Sequence, residues 1–319
     1  MTALVAQDME AVNRTIVARM ESPVALIPQV ATYLVASGGK RLRPVLTLAS
    51  ARLCGHEGED AIGLAAAVEF IHTATLLHDD VVDESEMRRG KASANEVFGN
   101  QASVLVGDFL FARSFELMVE SRSLEVLRIL SHASAIIAEG EVLQLSASHD
   151  IATTEDTYLR IVGAKTAALF AAAAQVGGVV AGVPDARAEA LWTYGNRLGL
   201  AFQLVDDVLD YSAVQARLGK TVGDDFQEGK ITLPVVLAVA AADAEERAFW
   251  SRTLEDGDQR DGDLDHAMTV LGRHRALDAT IARARAYAEE AKQVLAPFPD
   301  GAIKQALVDV ADFVVDRDY

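Results

Sequence analysis

Apolar residues return at helical spacing along most of this 319-residue chain. In AIGLAAAVEFIHTATLLHDDVVD (61–83), SVLVGDFLFARSFELMVE (103–120) and WTYGNRLGLAFQLVDDVLDY (192–211) they recur every three or four positions, which predicts three long helices. Ala, Leu and Glu, all good helix formers, dominate elsewhere, while alternating β-branched runs with hairpin turns are scarce. The expected fold class is all-α. The breaks are short: Ser37-Gly38-Gly39, Gly55-His56-Glu57-Gly58, Gly182-Val183-Pro184 and Glu255-Asp256-Gly257-Asp258. None is a long Pro, Gly or Ser tract of the kind that links domains, so a single domain over 1–319 is expected.

Composition narrows the function classes. Half of the residues are hydrophobic, enough for a sizeable core, and the 47 acidic against 29 basic residues give a net charge of -18. That charge opposes a sequence-independent grip on nucleic acid or on an anionic membrane surface. The one cysteine, Cys54, cannot close an internal disulfide, and the first twenty residues mix charged and apolar positions rather than forming a signal core. A cytoplasmic location is expected. From Thr166 to Val183 the chain is uncharged and nearly long enough to span a bilayer. Its Ala and Gly supply little apolar area, however, and Lys165 stands at its head, so the expectation is a helix buried on all sides and no integral membrane segment.

One element occurs twice: Asp79-Asp80-x-x-Asp83 and Asp206-Asp207-x-x-Asp210. Within each copy the first and last carboxylates stand at i and i+4, a like-charge pair that destabilises a bare helix by about 0.2–0.5 kcal/mol. Each copy also ends an apolar run, FIHTATLL or GLAFQLV, which places the charges at the rim of a nonpolar space. Partly buried charges of one sign need cations or protons. Carboxylate oxygens, completed by water and phosphate oxygens, are the donor set that Mg²⁺ prefers. A solvated acidic face would explain one triplet; it explains two identical ones poorly.

Basic residues cluster near both triplets. They are Lys40, Arg41 and Arg43 in GGKRLRP (38–44), Arg88, Arg89 and Lys91 after the first triplet, and Lys220 and Lys230 after the second. In so acidic a chain this placement suggests diphosphate clamps, Arg giving forked bonds and Lys point charges. Ordinary ion pairing would account for Arg41 and Lys91, less easily for the whole set.

With GGKRLRP, LLHDDVVDESEMRRG (76–90), GAKTAALF (163–170), FQLVDDVLD (202–210) and GKTVGDDFQEGKITLP (219–234) in view, the chain resembles the trans-isoprenyl diphosphate synthases of the polyprenyl synthetase family. Among these it is most similar to the long-chain octaprenyl and decaprenyl synthases. The resemblance implies a bundle of mostly antiparallel helices around a central cavity, with the two aspartate motifs facing each other across its mouth, and a homodimer. It implies Mg²⁺ bound by Asp79, Asp83 and Asp207, with Asp80, Asp206 and Asp210 as outer or additional ligands. Lys40, Arg43, His72 and Arg89 would bind isopentenyl diphosphate. Arg88, Lys165, Thr166, Gln203, Lys220 and Lys230 would hold the allylic diphosphate. Outside that motif context, His72 would read as a satisfied core histidine and Gln203 as a helix-packing amide.

The implied activity is condensation of isopentenyl diphosphate with an allylic diphosphate to give a long all-trans polyprenyl diphosphate, octaprenyl-like, for a quinone side chain. No Ser/His/Asp or Cys/His arrangement competes with ionisation chemistry. The product length is read from Ala67, Ile71 and Ala74, which share one helical stripe without an aromatic residue. Ala74 lies about 7–8 Å deeper along the helix axis than Asp79, at roughly 1.5 Å per residue. Short-chain members of the family commonly place an aromatic residue near that position; its absence implies a long tail. Alternatives are a farnesyl- or geranylgeranyl-length synthase, a class I terpene cyclase, and a non-catalytic partner subunit. A cyclase would be expected to lack GGKRLRP and to carry a mixed Asn/Ser/Glu second site, and a partner subunit to have lost a triplet. An EF-hand calcium loop is absent around both triplets.

Overall fold

The periodic stretches fold as helices because each can bury its apolar face against another. The structure, a computed structural model, describes residues 1–36, 38–88, 90–212 and 223–316. In chain order the helices are α1 (Ala6–Arg19), α2 (Leu26–Ala36), α3 (Leu42–Leu53), α4 (Asp60–Val82), α5 (Ala94–Phe98), α6 (Asn100–Glu120), α7 (Leu124–Ala147) and α8 (Glu155–Val162). They continue with α9 (Ala168–Val180), α10 (Asp185–Asp210), α11 (Asp224–Gln227), α12 (Leu233–Ala241), α13 (Ala244–Trp250), α14 (Asp263–Arg273), α15 (Ala276–Gln293) and α16 (Ala302–Val315). The all-α expectation holds, with one local exception among the described residues. Met87–Arg88 (β1) pairs antiparallel with Lys91–Ala92 (β2), a ladder too short to have a sequence signature.

The breaks fall where backbone chemistry requires them. Gly55 and Gly182, just beyond α3 and α9, have φ of 80° and 69°, a left-handed conformation that costs a residue with a Cβ about 1–2 kcal/mol.

Two compact units are distinguishable. The first comprises Met1–Ser134, Leu169–Gly195 and Val294–Leu307. The second comprises the described residues of Ala135–Ala168, Asn196–Gln293 and Val308–Tyr319.

In the first unit α4 and α6 share the largest helix–helix interface, and α1 and α3 also pack on α4. They run antiparallel, with Gly63 opposite Leu117 at one end and His78 against Gly107 at the other. The Ala- and Gly-rich α9 belongs largely to this unit and explains the uncharged run from Thr166. A Cβ added at Gly177 would stand 2.5 Å from the Thr47 carbonyl oxygen of α3, and one at Gly195 of α10 would collide with the Phe170 carbonyl oxygen of α9. Small residues here let helix backbones approach closely. Two helical stretches, Asp60–Val82 and Glu155–Val180, are apolar and long enough to cross a membrane, yet 61% and 67% of their apolar windows are buried inside the structure.

The second unit packs Tyr211, Phe226, Trp250, Leu254, Val270 and Leu271 into one core. There α12 lies against both α8 and α15. This core holds Tyr211, Phe226 and α12 near the residues that line the pocket described below.

The close approach at Gly195 yields a stability test. Gly195→Ala introduces a methyl group against backbone, which cannot rotate away, and should cost about 1–3 kcal/mol. A calorimetric melting temperature equal to that of the unsubstituted chain would show that α9 and α10 can part without loss.

Candidate active site

Both aspartate triplets lie at the C-terminal ends of helices, where unpaired carbonyls already carry partial negative charge. Asp79 and Asp80 occupy the last turn of α4, and Asp83 caps it, its N–H donating to the Asp79 carbonyl at 2.8 Å. Asp206, Asp207 and Asp210 close α10. Carboxylates there face an unfavourable helix dipole as well as one another.

The chain compensates the first triplet in part. Asp80 is fully buried, and its Oδ1 accepts from Arg88 Nε at 2.6 Å and lies 2.5 Å from the second guanidinium nitrogen. The chain reverses after α4, with Glu84 at a φ of 50° and the Ser85 N–H donating to the Asp80 carbonyl at 2.9 Å, and Arg88 returns to Asp80. The other oxygen, Oδ2, is buried with no hydrogen-bond partner. Asp79 and Asp83 are half-buried.

Of the isopentenyl diphosphate candidates, Lys40 is exposed, His72 half-buried on α4, and Arg43 on α3 lays its guanidinium 4.5 Å from the centre of the Phe170 ring. Arg41 pairs with Glu69 at 2.6 Å, the ordinary ion pair anticipated for it. Arg89 and Lys220 lie outside the described residues.

The second triplet is engaged differently. Asp207 is buried, and both of its oxygens accept hydrogen bonds: Oδ1 from Gln203 Nε2 at 2.8 Å and Oδ2 from the Tyr158 hydroxyl. Gln203 Oε1 in turn accepts from Thr166 Oγ1 at 2.9 Å. Asp210 secures the chain beyond α10: its carbonyl accepts from Gly223 N–H at 2.9 Å, and its Oδ2 from Asp225 N–H at 3.1 Å. Asp206 is half-buried.

Lys165 and Thr166 stand on a π-helical turn, Gly163–Ala167, between α8 and α9. Such turns insert a residue into the helix and recur at functional sites. Helix α7 braces this one. Gly140 leaves room where a Cβ would be 2.7 Å from Ala164 Cβ, and Glu141 holds the Lys165 ammonium at 2.9 Å.

Lys165, Thr166, Gln203, Asp207 and Lys230, proposed from three separate motifs, line one pocket of about 140 Å³ in the second unit. Tyr158 and Asp225 line it too, though sequence reasoning singled out neither. Asp225 stands within the motif GKTVGDDFQEGKITLP, where Asp224-Asp225 forms a third acidic pair, whereas nothing in EDTYLRIV distinguishes Tyr158 from a core aromatic. Lys230 Nζ pairs with Glu228 at 2.6 Å, and its backbone N–H donates to the Asp225 carbonyl at 2.8 Å.

Burial pushes the Asp207 carboxyl up to about 6, with Asp206 and Asp210 adding to the rise and the Tyr158 and Gln203 hydrogen bonds opposing it. Burial likewise lifts Asp210 to about 6, and raises Asp225 well above the usual carboxylate range, helped by Asp210 and Asp207. Among the described residues no group of three His, Cys, Asp or Glu side chains converges closely enough to hold an ion by itself. Carboxylate oxygens beside Lys165 and Lys230 in the pocket are of the donor type that Mg²⁺ takes together with water and phosphate oxygens.

Comparison with known proteins identifies relatives in sequence and in fold. A family model described as "Polyprenyl synthetase" matches residues 24–271. The octaprenyl diphosphate synthase of Haemophilus influenzae is 47% identical over 312 residues, covering 98% of this chain and 94% of that protein. A decaprenyl diphosphate synthase from Rhodobacter capsulatus superposes with a TM-score of 0.96 at 56% identity, covering 99% of this chain and 98% of that one. A polyprenyl synthase from Caulobacter crescentus, solved with calcium and isoprenyl diphosphate, has a TM-score of 0.96 at 54% identity, with 99% and 96% covered.

The raised carboxyl values make stability depend on pH in a definite direction. Asp207 and Asp210 keep protons in the folded chain that the unfolded chain releases between pH 3.8 and about 6. Their contribution is therefore full below that window and lost as pH rises through about 6. In chelator, Asp207→Asn should melt higher than the unsubstituted chain at pH 8 and near it at low pH. Parallel melting curves across that range would show that Asp207 ionises in the fold without penalty.

Proposed function

This chain belongs to the polyprenyl synthetase family, and we infer that it is a prenyltransferase that elongates an allylic diphosphate with isopentenyl diphosphate to a long-chain all-trans polyprenyl diphosphate. The observation that carries the reading is the pocket of the second unit, where two lysines, a hydroxyl and a buried carboxylate from separate motifs converge. That combination suits a diphosphate bound with divalent metal. The family match over residues 24–271 includes parts of both compact units, which supports reading them as one catalytic domain.

We assign Lys165, Thr166, Gln203, Lys220 and Lys230, with Arg88, to the allylic diphosphate. Gln203 acts there through its bonds to Thr166 and Asp207. Lys40, Arg43, His72 and Arg89 are assigned to isopentenyl diphosphate. Asp79, Asp83 and Asp207 are assigned as magnesium ligands, joined by Asp80, Asp206 and Asp210 as outer or additional ones. When bound, magnesium neutralises charge on the leaving diphosphate as its carbon–oxygen bond breaks.

The lysines and the Thr166 hydroxyl stabilise that same charge from fixed positions, in a pocket whose Ile161, Val162 and Ile231 exclude water. The double bond of isopentenyl diphosphate then attacks the allylic carbon, a carbon–carbon bond forms, and the proton lost from the adjacent carbon goes to the departed diphosphate. No side chain of this chain is needed as nucleophile. A homodimer, a cytoplasmic location and an octaprenyl-like product serving a quinone side chain complete the proposal.

Incubation with labelled isopentenyl diphosphate and an allylic starter tests the activity. Asp79→Ala and Asp207→Ala should each lower turnover by orders of magnitude, as loss of several kcal/mol of transition-state stabilisation requires. Near-normal turnover in either variant, or full activity in excess chelator, would refute the ligand assignment.

Product length rests on Ala67, Ile71 and Ala74, all buried on α4. Ala74→Phe should shorten the main product to a few isoprene units while leaving ionisation intact. An unchanged long product from a folded, active variant, sized by chromatography after dephosphorylation, would place the stop elsewhere.

A further inference from the structure

Tyr158 belongs to none of the motifs, and the condensation itself calls for no phenol. It is nevertheless only 4% exposed, stands on α8, and donates its hydroxyl to Asp207 Oδ2. On the other oxygen, Oδ1 accepts from Gln203 Nε2 at 2.8 Å. Thr166 fixes which way that amide points: by donating to Gln203 Oε1 at 2.9 Å it leaves the NH₂ facing the carboxylate. Asp207 is thus held by two donors from two different helices. Each oxygen spends one lone pair on a hydrogen bond and keeps another for a cation.

A carboxylate with a single donor can swing about its last side-chain torsion, a broad rotation. Two donors on opposite oxygens fix the plane. Gln203 alone could not do so, because it sits one helical turn before Asp207 on the same helix and moves with it. Tyr158 supplies the reference from a separate element, seven residues before Lys165 and within the same pocket lining.

We propose that Tyr158 is a positioning residue for the second aspartate triplet: its hydroxyl fixes the plane of the Asp207 carboxylate so that a divalent cation and its diphosphate meet a preformed ligand. The proposal rests on the reading of Asp207 as a magnesium ligand. Groups that orient metal ligands from behind typically change metal affinity by about 10–100-fold when removed. A tyrosine that merely fills the core and satisfies its own hydroxyl would change the melting temperature and leave metal affinity alone.

The test measures Mn²⁺ binding to the full-length, metal-free protein by electron paramagnetic resonance, in the presence of an allylic thiolodiphosphate that cannot ionise. Tyr158→Phe should bind Mn²⁺ about tenfold more weakly. It should also lower kcat while leaving KM for isopentenyl diphosphate near that of the parent. A second variant carries 4-aminophenylalanine in place of Tyr158, keeping the shape with a poorer donor and so protecting against a folding failure of the Phe variant. Its affinity should fall between the two. Parent-level Mn²⁺ affinity in either folded variant overturns the positioning role. Absence of Mn²⁺ binding by the unsubstituted chain overturns the metal reading itself, and the proposal with it.

Discussion

Negative charge at the negative ends of helices is the constraint on which the rest of this site depends. Each triplet adds carboxylates to a C-terminus whose free carbonyls already disfavour them, and Asp80 and Asp207 are buried there as well. A fold selected for stability alone would place Lys or Arg at these positions. The carboxyl groups of Asp207 and Asp210, lifted to about 6, record what the arrangement costs in the absence of cations. If the triplets hold magnesium as proposed, that same unfavourable energy becomes affinity for the ions and a diphosphate, since binding to the native state alone stabilises it.

Much of this was legible from residue spacing. The long helices follow from apolar recurrence, and the breaks at Gly55 and Gly182 fall where left-handed backbone is required. The doubled aspartate pattern announces itself in the sequence because carboxylates are rarely spent at an apolar boundary without a cation. Lys165, Thr166, Gln203, Asp207 and Lys230 meet in one pocket although they come from three motifs.

What the sequence could not disclose is decided by tertiary packing. The π-turn at Gly163–Ala167 has no compositional mark; it forms where Gly140 lets α7 press on the backbone of Ala164 and Lys165. The β1–β2 ladder is too short to show periodicity, and the reversal at Glu84 that returns Arg88 to Asp80 rests on one positive φ. Tyr158 is invisible for a different reason. An aromatic residue on the buried face of an amphipathic helix is an ordinary part of a core, and only the direction of its hydroxyl separates it from the rest.

The two triplets share one sequence pattern but not one chemistry. At the middle position of the first, Asp80 is matched by the full positive charge of Arg88, so that residue is largely neutralised before any ligand binds. At the middle position of the second, Asp207 is met only by the neutral donors Tyr158 and Gln203, which orient the carboxylate without cancelling its charge. The Asp210 carboxylate likewise accepts from a backbone N–H, and half-buried Asp225 adds a further acid beside it. At its middle position the second triplet thus orients a carboxylate without neutralising it, whereas the first has given that charge to an internal ion pair. Identical spacing of the aspartates therefore carries two local chemistries at the middle position: an ion pair at the end of α4 and a carboxylate oriented by neutral donors at the end of α10.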